Sequence, residues 1–183
     1  MRSRTCRIHA GVRSAGPTQS VCTPGCDHSV SLTCGRSPKP GDSDGRVLLV
    51  QPAYRCDTWE IPGGALEHGE YPWDAAAREV SEEFGLNLLP GRLLAIDIVP
   101  AQNDGRPPLI NFLFDGGVLS PAEAAAIHPH DDELTAVAWS SRQEWTDRLA
   151  PHLARRITAC ADAANADRTV YLQNGWPLKD TNG

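Results

Sequence analysis

The chain has 183 residues and a formal net charge of −6, with 40% of residues apolar and 22% charged. That length suits one ordinary domain with appendages. No apolar run is long enough to cross a bilayer, and the acidic balance argues against binding to a nucleic-acid backbone.

The charge is unevenly spread. Residues 1–41 carry six bases and one acid, leaving eleven bases and twenty-two acids for the rest. Residues 1–42 are rich in Ser, Thr, Gly and Pro and hold Cys6, Cys22, Cys26 and Cys34. This composition buries little apolar surface, so the segment is expected to be a disordered or poorly packed leader. A zinc clip from Cys22, Cys26, His28 and Cys34 is a competing reading, but its spacing is irregular for structural zinc. A targeting peptide is another, although no amphipathic helix is visible. Within this segment Val30, Leu32 and Cys34 alternate with Ser29, Ser31 and Thr33, the period-two pattern of a strand.

The main domain is expected over residues 43–166. Asp44-Gly45 is a turn dipeptide that leads into Val47–Val50, an apolar run suited to a buried strand. Trp59-Glu60-Ile61-Pro62-Gly63-Gly64 reads as a short strand and a glycine turn whose backbone can approach a metal or phosphate. A helix is predicted from Pro72, a good first helical residue, to Phe84, with Gly85 as its left-handed stop. Trp73, Ala76, Ala77, Val80 and Phe84 form its apolar stripe, and Glu79, Glu82 and Glu83 share another face. Strands follow at Leu93–Val99, Leu109–Phe114 and Thr135–Trp139. Capping boxes at Ser120 and Ser141 start two short helices, and Pro151 opens a closing amphipathic helix along Leu153, Ile157, Cys160 and Ala164. Residues 167–183 are expected to be a tail. Strands and helices alternate, which makes this an α/β chain with a mixed sheet. Cys56 and Cys160 have no paired spacing and read as reduced thiols in a cytoplasmic protein.

Three glutamates on a helix are most often a solvated acidic face. Here they follow a glycine turn and Arg78, whose guanidinium can fix the acids and lower their pKa values. Magnesium takes hard oxygen ligands and completes its shell with water and substrate phosphates, so this grouping suits it. The full pattern over Gly64–Leu86 is G-x5-E-x7-R-E-(apolar)-x-E-E-x-G-(apolar). It resembles the Nudix box of the Nudix hydrolases, and the resemblance extends over residues 46–140. The resemblance implies a Nudix-type α/β/α sandwich with a mixed sheet. It also implies metal-dependent hydrolysis of a diphosphate joined to another group, often a nucleoside. By position it makes Glu79, Glu82 and Glu83 the metal-proximal acids, with the Gly63 carbonyl as a further ligand. Arg78 would orient the glutamates, and Glu70 would have a structural role. The expected cofactor is Mg2+, with Mn2+ as a substitute.

His128-Pro129-His130-Asp131-Asp132-Glu133 is either a solvated loop or a second metal group. By the resemblance, an acid just before the following strand approaches the metals and serves as general base, which points to Glu133 and then Asp132. For the substrate, Trp59, Tyr54 and Phe112 are candidates for stacking on a base, and Arg55 and Arg106 for a terminal phosphate. Pro100 lies near a proline of ADP-ribose-type relatives. The expected partner is a small nucleotide-like molecule, not nucleic acid or a membrane, and a homodimer stays open. The rival function classes are a nucleotide-sensing module of the same fold without turnover and a zinc-stabilised interaction protein. The intact glutamates speak against the former.

Overall fold

The computed structural model describes residues 27–33 (as backbone), 45–55, 57–103, 105–130 and 132–178. In chain order these form β1 (Asp27–Thr33), β2 (Val47–Pro52), β3 (Gly63–Ala65), α1 (Pro72–Phe84), β4 (Leu93–Val99), β5 (Leu109–Asp115), α2 (Pro121–Ala126), β6 (Leu134–Ser140), α3 (Arg142–Arg148), α4 (Pro151–Asn165), β7 (Val170–Gln173) and β8 (Trp176–Pro177). Cys6, Cys22, Cys26, Cys34, Cys56 and Asp131 lie outside the described residues, and so does the proposed zinc clip, except for the backbone of His28.

The larger sheet has the strand order β3-β1-β5-β4-β7-β8. It is mixed: β1 runs parallel to β5 and β4 parallel to β7, while the other neighbours are antiparallel. A second sheet pairs β2 with β6. It reaches the glycine-turn segment through reciprocal backbone hydrogen bonds between Val50 and Glu60, at 3.0 and 2.8 Å.

The apolar run at Val47–Val50 is buried on both faces. Leu48 and Val50 pack with Val80 and Phe84 of α1, whereas Val47 and Leu49 pack with Trp145, Leu149 and Ile157 on the α3–α4 side. Alternation across β5 does the same, sending Phe114 to the first core and Leu113 to the second. Two helical layers therefore sandwich the strands.

The sequence boundaries at 42 and 166 are too narrow for this sheet. β1 comes from the segment assigned to the leader and is an internal strand, between β3 and β5. β7 and β8 come from the segment assigned to the tail. Their connection, Asn174-Gly175, has φ of 53° and 79°, the two left-handed residues of a tight hairpin. One helix stripe is also corrected. Ala75, Ala76, Val80 and Phe84 are the buried apolar residues of α1. Trp73 is 39% exposed, and its indole N–H donates to the Pro90 carbonyl at 2.8 Å.

Candidate active site

Three local features place the acids. β1 pairs with β3 and so holds the Gly63–Ala65 turn on the sheet. Pro72 starts α1, and Gly85 (φ 66°) ends it, with its N–H on the Ser81 carbonyl. Arg78 then connects helix and turn. Its Nε and Nη2 donate to the two carboxylate oxygens of Glu70 at 3.0 Å each, and Nη2 also donates to the Ala65 carbonyl at 3.0 Å. Nη1 donates to Glu79 Oε1 and Glu82 Oε2, both at 2.9 Å. A guanidinium has five N–H donors, and all five are used here.

Glu70 accordingly serves to fix Arg78, and Arg78 holds the Glu70 carboxyl below its usual range. Glu79 behaves differently. Its carboxyl is raised, because burial outweighs the opposing pull of Arg78, and the charges of Glu82 and Glu133 add to the rise. The expectation that Arg78 lowers the pKa values of the helix acids is met at Glu79 only as an opposing pull, which burial outweighs. Glu79 lies directly against the glycine turn: a Cβ added at Gly64 would stand 2.3 Å from Glu79 Oε1. Glu83 is 7% exposed, and its Oε1 accepts the Gly63 N–H at 3.4 Å. Gly63 thus meets Glu83 through its amide. The three acids are graded in exposure rather than sharing one wet face: Glu83 is buried, Glu79 half-buried and Glu82 exposed.

The 128–133 loop is tied to the same helix. The His130 N–H donates to the Glu83 carbonyl at 2.9 Å, and its ring lies over Gly85. His128 Nδ1 contacts the Ala126 carbonyl at 2.6 Å. Among the described residues, which leave out Asp131, no three His, Cys, Asp or Glu side chains are gathered as a metal-ligand group, Glu79, Glu82 and Glu83 included. Glu133 is exposed, its carbonyl accepts the Ala53 N–H at 2.7 Å, and its charge reaches Glu79. Asp132 is exposed.

Beside the glycine turn lies a cleft of about 430 Å³. Arg55, Trp59 and Arg106 all line it, together with Tyr54, Gly63 and Gly64. Trp59 carries the Arg148 guanidinium on its ring at 5.2 Å, and Arg106 donates to Gln102 Oε1 at 2.7 Å. Phe112 is not in the cleft, because it packs against the α1 core on the opposite side of β5 from Asn111.

A family model described as the NUDIX domain matches residues 41–160. The chain belongs to the Nudix hydrolase family. A MutT-like protein of Streptomyces ambofaciens is 32% identical over 123 residues, covering 66% of this chain and 71% of that protein. The 8-oxo-dGDP phosphatase NUDT18 of Homo sapiens is 34% identical over 112 residues, 58% of this chain, and the match spans 31% of the human protein. In three dimensions the chain is similar to the E. coli ORF135 protein, with a TM-score of 0.58 and 25% identity over 82% of this chain and 97% of that one.

The Nudix box thus occupies β3, α1 and the loop between them. Its donors fit a hard divalent ion in kind, since the side chains that meet Gly63 and Gly64 among the described residues are the carboxylates of Glu83 and Glu79. The carboxylate of Glu79 is pressed into a place that only glycine leaves open, and its raised pKa is what a nearby cation would reverse. Arg78 holds Glu79 and Glu82 together on Nη1.

Sequence reading missed part of the cleft of this Nudix protein. Asn111, His152 and Arg156 line it. Behind them Asp97, fully buried, accepts from Arg156 Nε at 2.7 Å. A signal was available: Asp97 interrupts the apolar strand Leu93–Val99, and Arg156 sits on the buried stripe of α4 between Leu153 and Ile157. A lone acid and a lone base in such positions need each other.

Proposed function

We propose that this Nudix protein hydrolyses a diphosphate linkage in a nucleoside diphosphate-linked compound, with Mg2+ as the metal and Mn2+ as its substitute. What supports the reading is that Glu79 lies against Gly64 and Glu83 accepts the Gly63 N–H, on a turn that itself lines the cleft, while Arg78 ties Glu82 to Glu79. Glu79, Glu82 and Glu83 would hold the ion, with the Gly63 carbonyl as a further ligand. A divalent ion bound there neutralises negative charge on the diphosphate. Arg78 orients Glu79 and Glu82, and Glu70 keeps Arg78 in place. Glu133 is assigned as the base that takes a proton from the attacking water. The water oxygen bonds to one phosphorus, the bridging P–O bond breaks, and the leaving phosphate departs with the electron pair.

The cleft provides for the rest of the substrate. Trp59 offers a ring for a base, while Arg55 and Arg106 offer charge to a terminal phosphate. A nucleoside diphosphate is the substrate named for the human relative, which agrees with this class. Among the described residues no helix is long and apolar enough to cross a membrane, and Cys160 is a buried free thiol. The proposed setting is the cytoplasm, with a small-molecule substrate and the chain acting alone or as a homodimer.

The test is a screen of nucleoside diphosphate-linked compounds with Mg2+, followed by Glu83→Gln on the best substrate. That variant keeps the shape and removes the charge. We expect kcat to fall by about 10²-fold or more, the scale of one lost electrostatic contact in a transition state. Addition of a chelator should abolish turnover and excess Mg2+ restore it. Wild-type turnover by Glu83→Gln would remove the assignment.

A further inference from the structure

Arg156 is 5% exposed and yet lines the cleft. Its Nε is committed to Asp97, so Nη1 and Nη2 are the donors it offers to an occupant. Asp97 is held in turn. Both of its carboxylate oxygens accept the Gly175 N–H, at 3.0 and 3.1 Å, and its backbone carbonyl accepts from Asn111 Nδ2 at 3.2 Å. Gly175 lies in the β7–β8 hairpin, beyond residues 41–160 that match the family domain.

Two physical points decide what Arg156 takes. Its charge is already balanced by Asp97, so a second phosphate would gain little from it and would stand close to a buried carboxylate. A planar fork of two adjacent N–H donors fits two adjacent acceptors in one plane. Val99, Leu109 and Leu153 give the same cleft apolar walls, suited to a flat ring.

We infer that Arg156 is a specificity-determining residue of this cleft and that it takes a neutral pair of adjacent acceptor atoms on the nucleoside. The O6/N7 edge of a 6-oxopurine presents such a pair. Asp97 and Gly175 are positioning residues, acting through Arg156. The inference rests on the reading above that a nucleoside diphosphate-linked compound occupies the cleft.

The full-length chain is assayed with guanosine, inosine and adenosine 5′-triphosphates. Arg156→Lys keeps the partner of Asp97 but loses the fork. It should raise KM for the guanosine and inosine compounds by about tenfold or more, the size of one bidentate base contact, with kcat little changed. KM for the adenosine compound, which offers N7 as the one acceptor on that edge, should rise several-fold less. Gly175→Ala provides a second route, because its Cβ would meet the His152 carbonyl at 2.6 Å and displace the amide that holds Asp97. It should lower the same guanosine-to-adenosine preference, a ratio that a uniform loss of folded protein does not change. Calorimetric binding of guanosine and adenosine to the metal-free chain gives a readout without turnover, in which guanosine should bind more tightly and lose that advantage in Arg156→Lys. An equal KM rise for all three nucleotides, or no difference in nucleoside binding, would overturn the assignment. Absence of turnover by the wild-type chain on every compound would count against the hydrolase reading, and the nucleoside-binding comparison would still decide this one.

Discussion

At Gly64 the absence of a side chain determines where a carboxylate rests. The nearest atoms to an added Cβ are Glu79 Oε1 at 2.3 Å and Glu79 Oε2 at 2.5 Å, so any other residue pushes the acid off the turn. With Glu79 as a proposed holder of the ion, Gly64→Ala should lower kcat by about 10²-fold, the cost of a misplacement by an ångström, while far-ultraviolet circular dichroism stays unchanged. Retained kcat would mean that Glu79 works from elsewhere. Glu70 is the complementary case. It contacts Arg78 and not the cleft, and it receives two of that guanidinium's five hydrogen bonds. Glu70→Gln keeps one acceptor, so it should reduce activity less than Glu83→Gln does. A titration of kcat against Mg2+ in both variants compares them directly.

Among the elements, α3 and α4 close the second core. Ser141 caps α3 with reciprocal contacts to Glu144, and Trp145 one residue on is fully buried. Ser141→Ala should cost about 1 kcal/mol, the usual worth of an N-cap, seen as a shift of about 2–4 °C in Tm for a chain of this size. The first turn of α4 carries His152, whose pKa is lowered from 6.5 by burial first and then by Arg156, Arg155 and Arg106. A lowered pKa means that the folded chain binds fewer protons than the unfolded one. The contribution of His152 to stability is thus present above pH 6.5 and is lost as pH falls below it through the folded-state value. Thermal melts from pH 8 to 5 should show this decline, and His152→Gln should flatten it. An unchanged slope in the variant would assign the decline to other groups.

At the scale of the whole molecule, the sheet is completed by segments at both ends of the described chain. Deleting residues 1–26 leaves every described strand in place and should preserve both fold and activity. Deleting residues 1–34 removes β1 from between β3 and β5, releases the glycine turn, and should abolish both. Circular dichroism and turnover of the two truncations test this, and equal behaviour would show that β1 is dispensable. The bounds of α1 and the start of α4 were legible in the sequence because Pro72, Gly85 and Pro151 act locally, as did the capping boxes at Ser120 and Ser141. The Gly64–Leu86 pattern also named the family by itself, since its residues lie close along the chain. The tertiary structure alone decided that Asp97 meets Arg156 across 59 positions, that Gly175 reaches back to Asp97 across 78, and that Phe112 turns away from the cleft. It also set the order of burial from Glu83 to Glu82, and with it the raised pKa of Glu79. Periodicity assigns a residue to a face of its own element, and only packing determines what that face is pressed against.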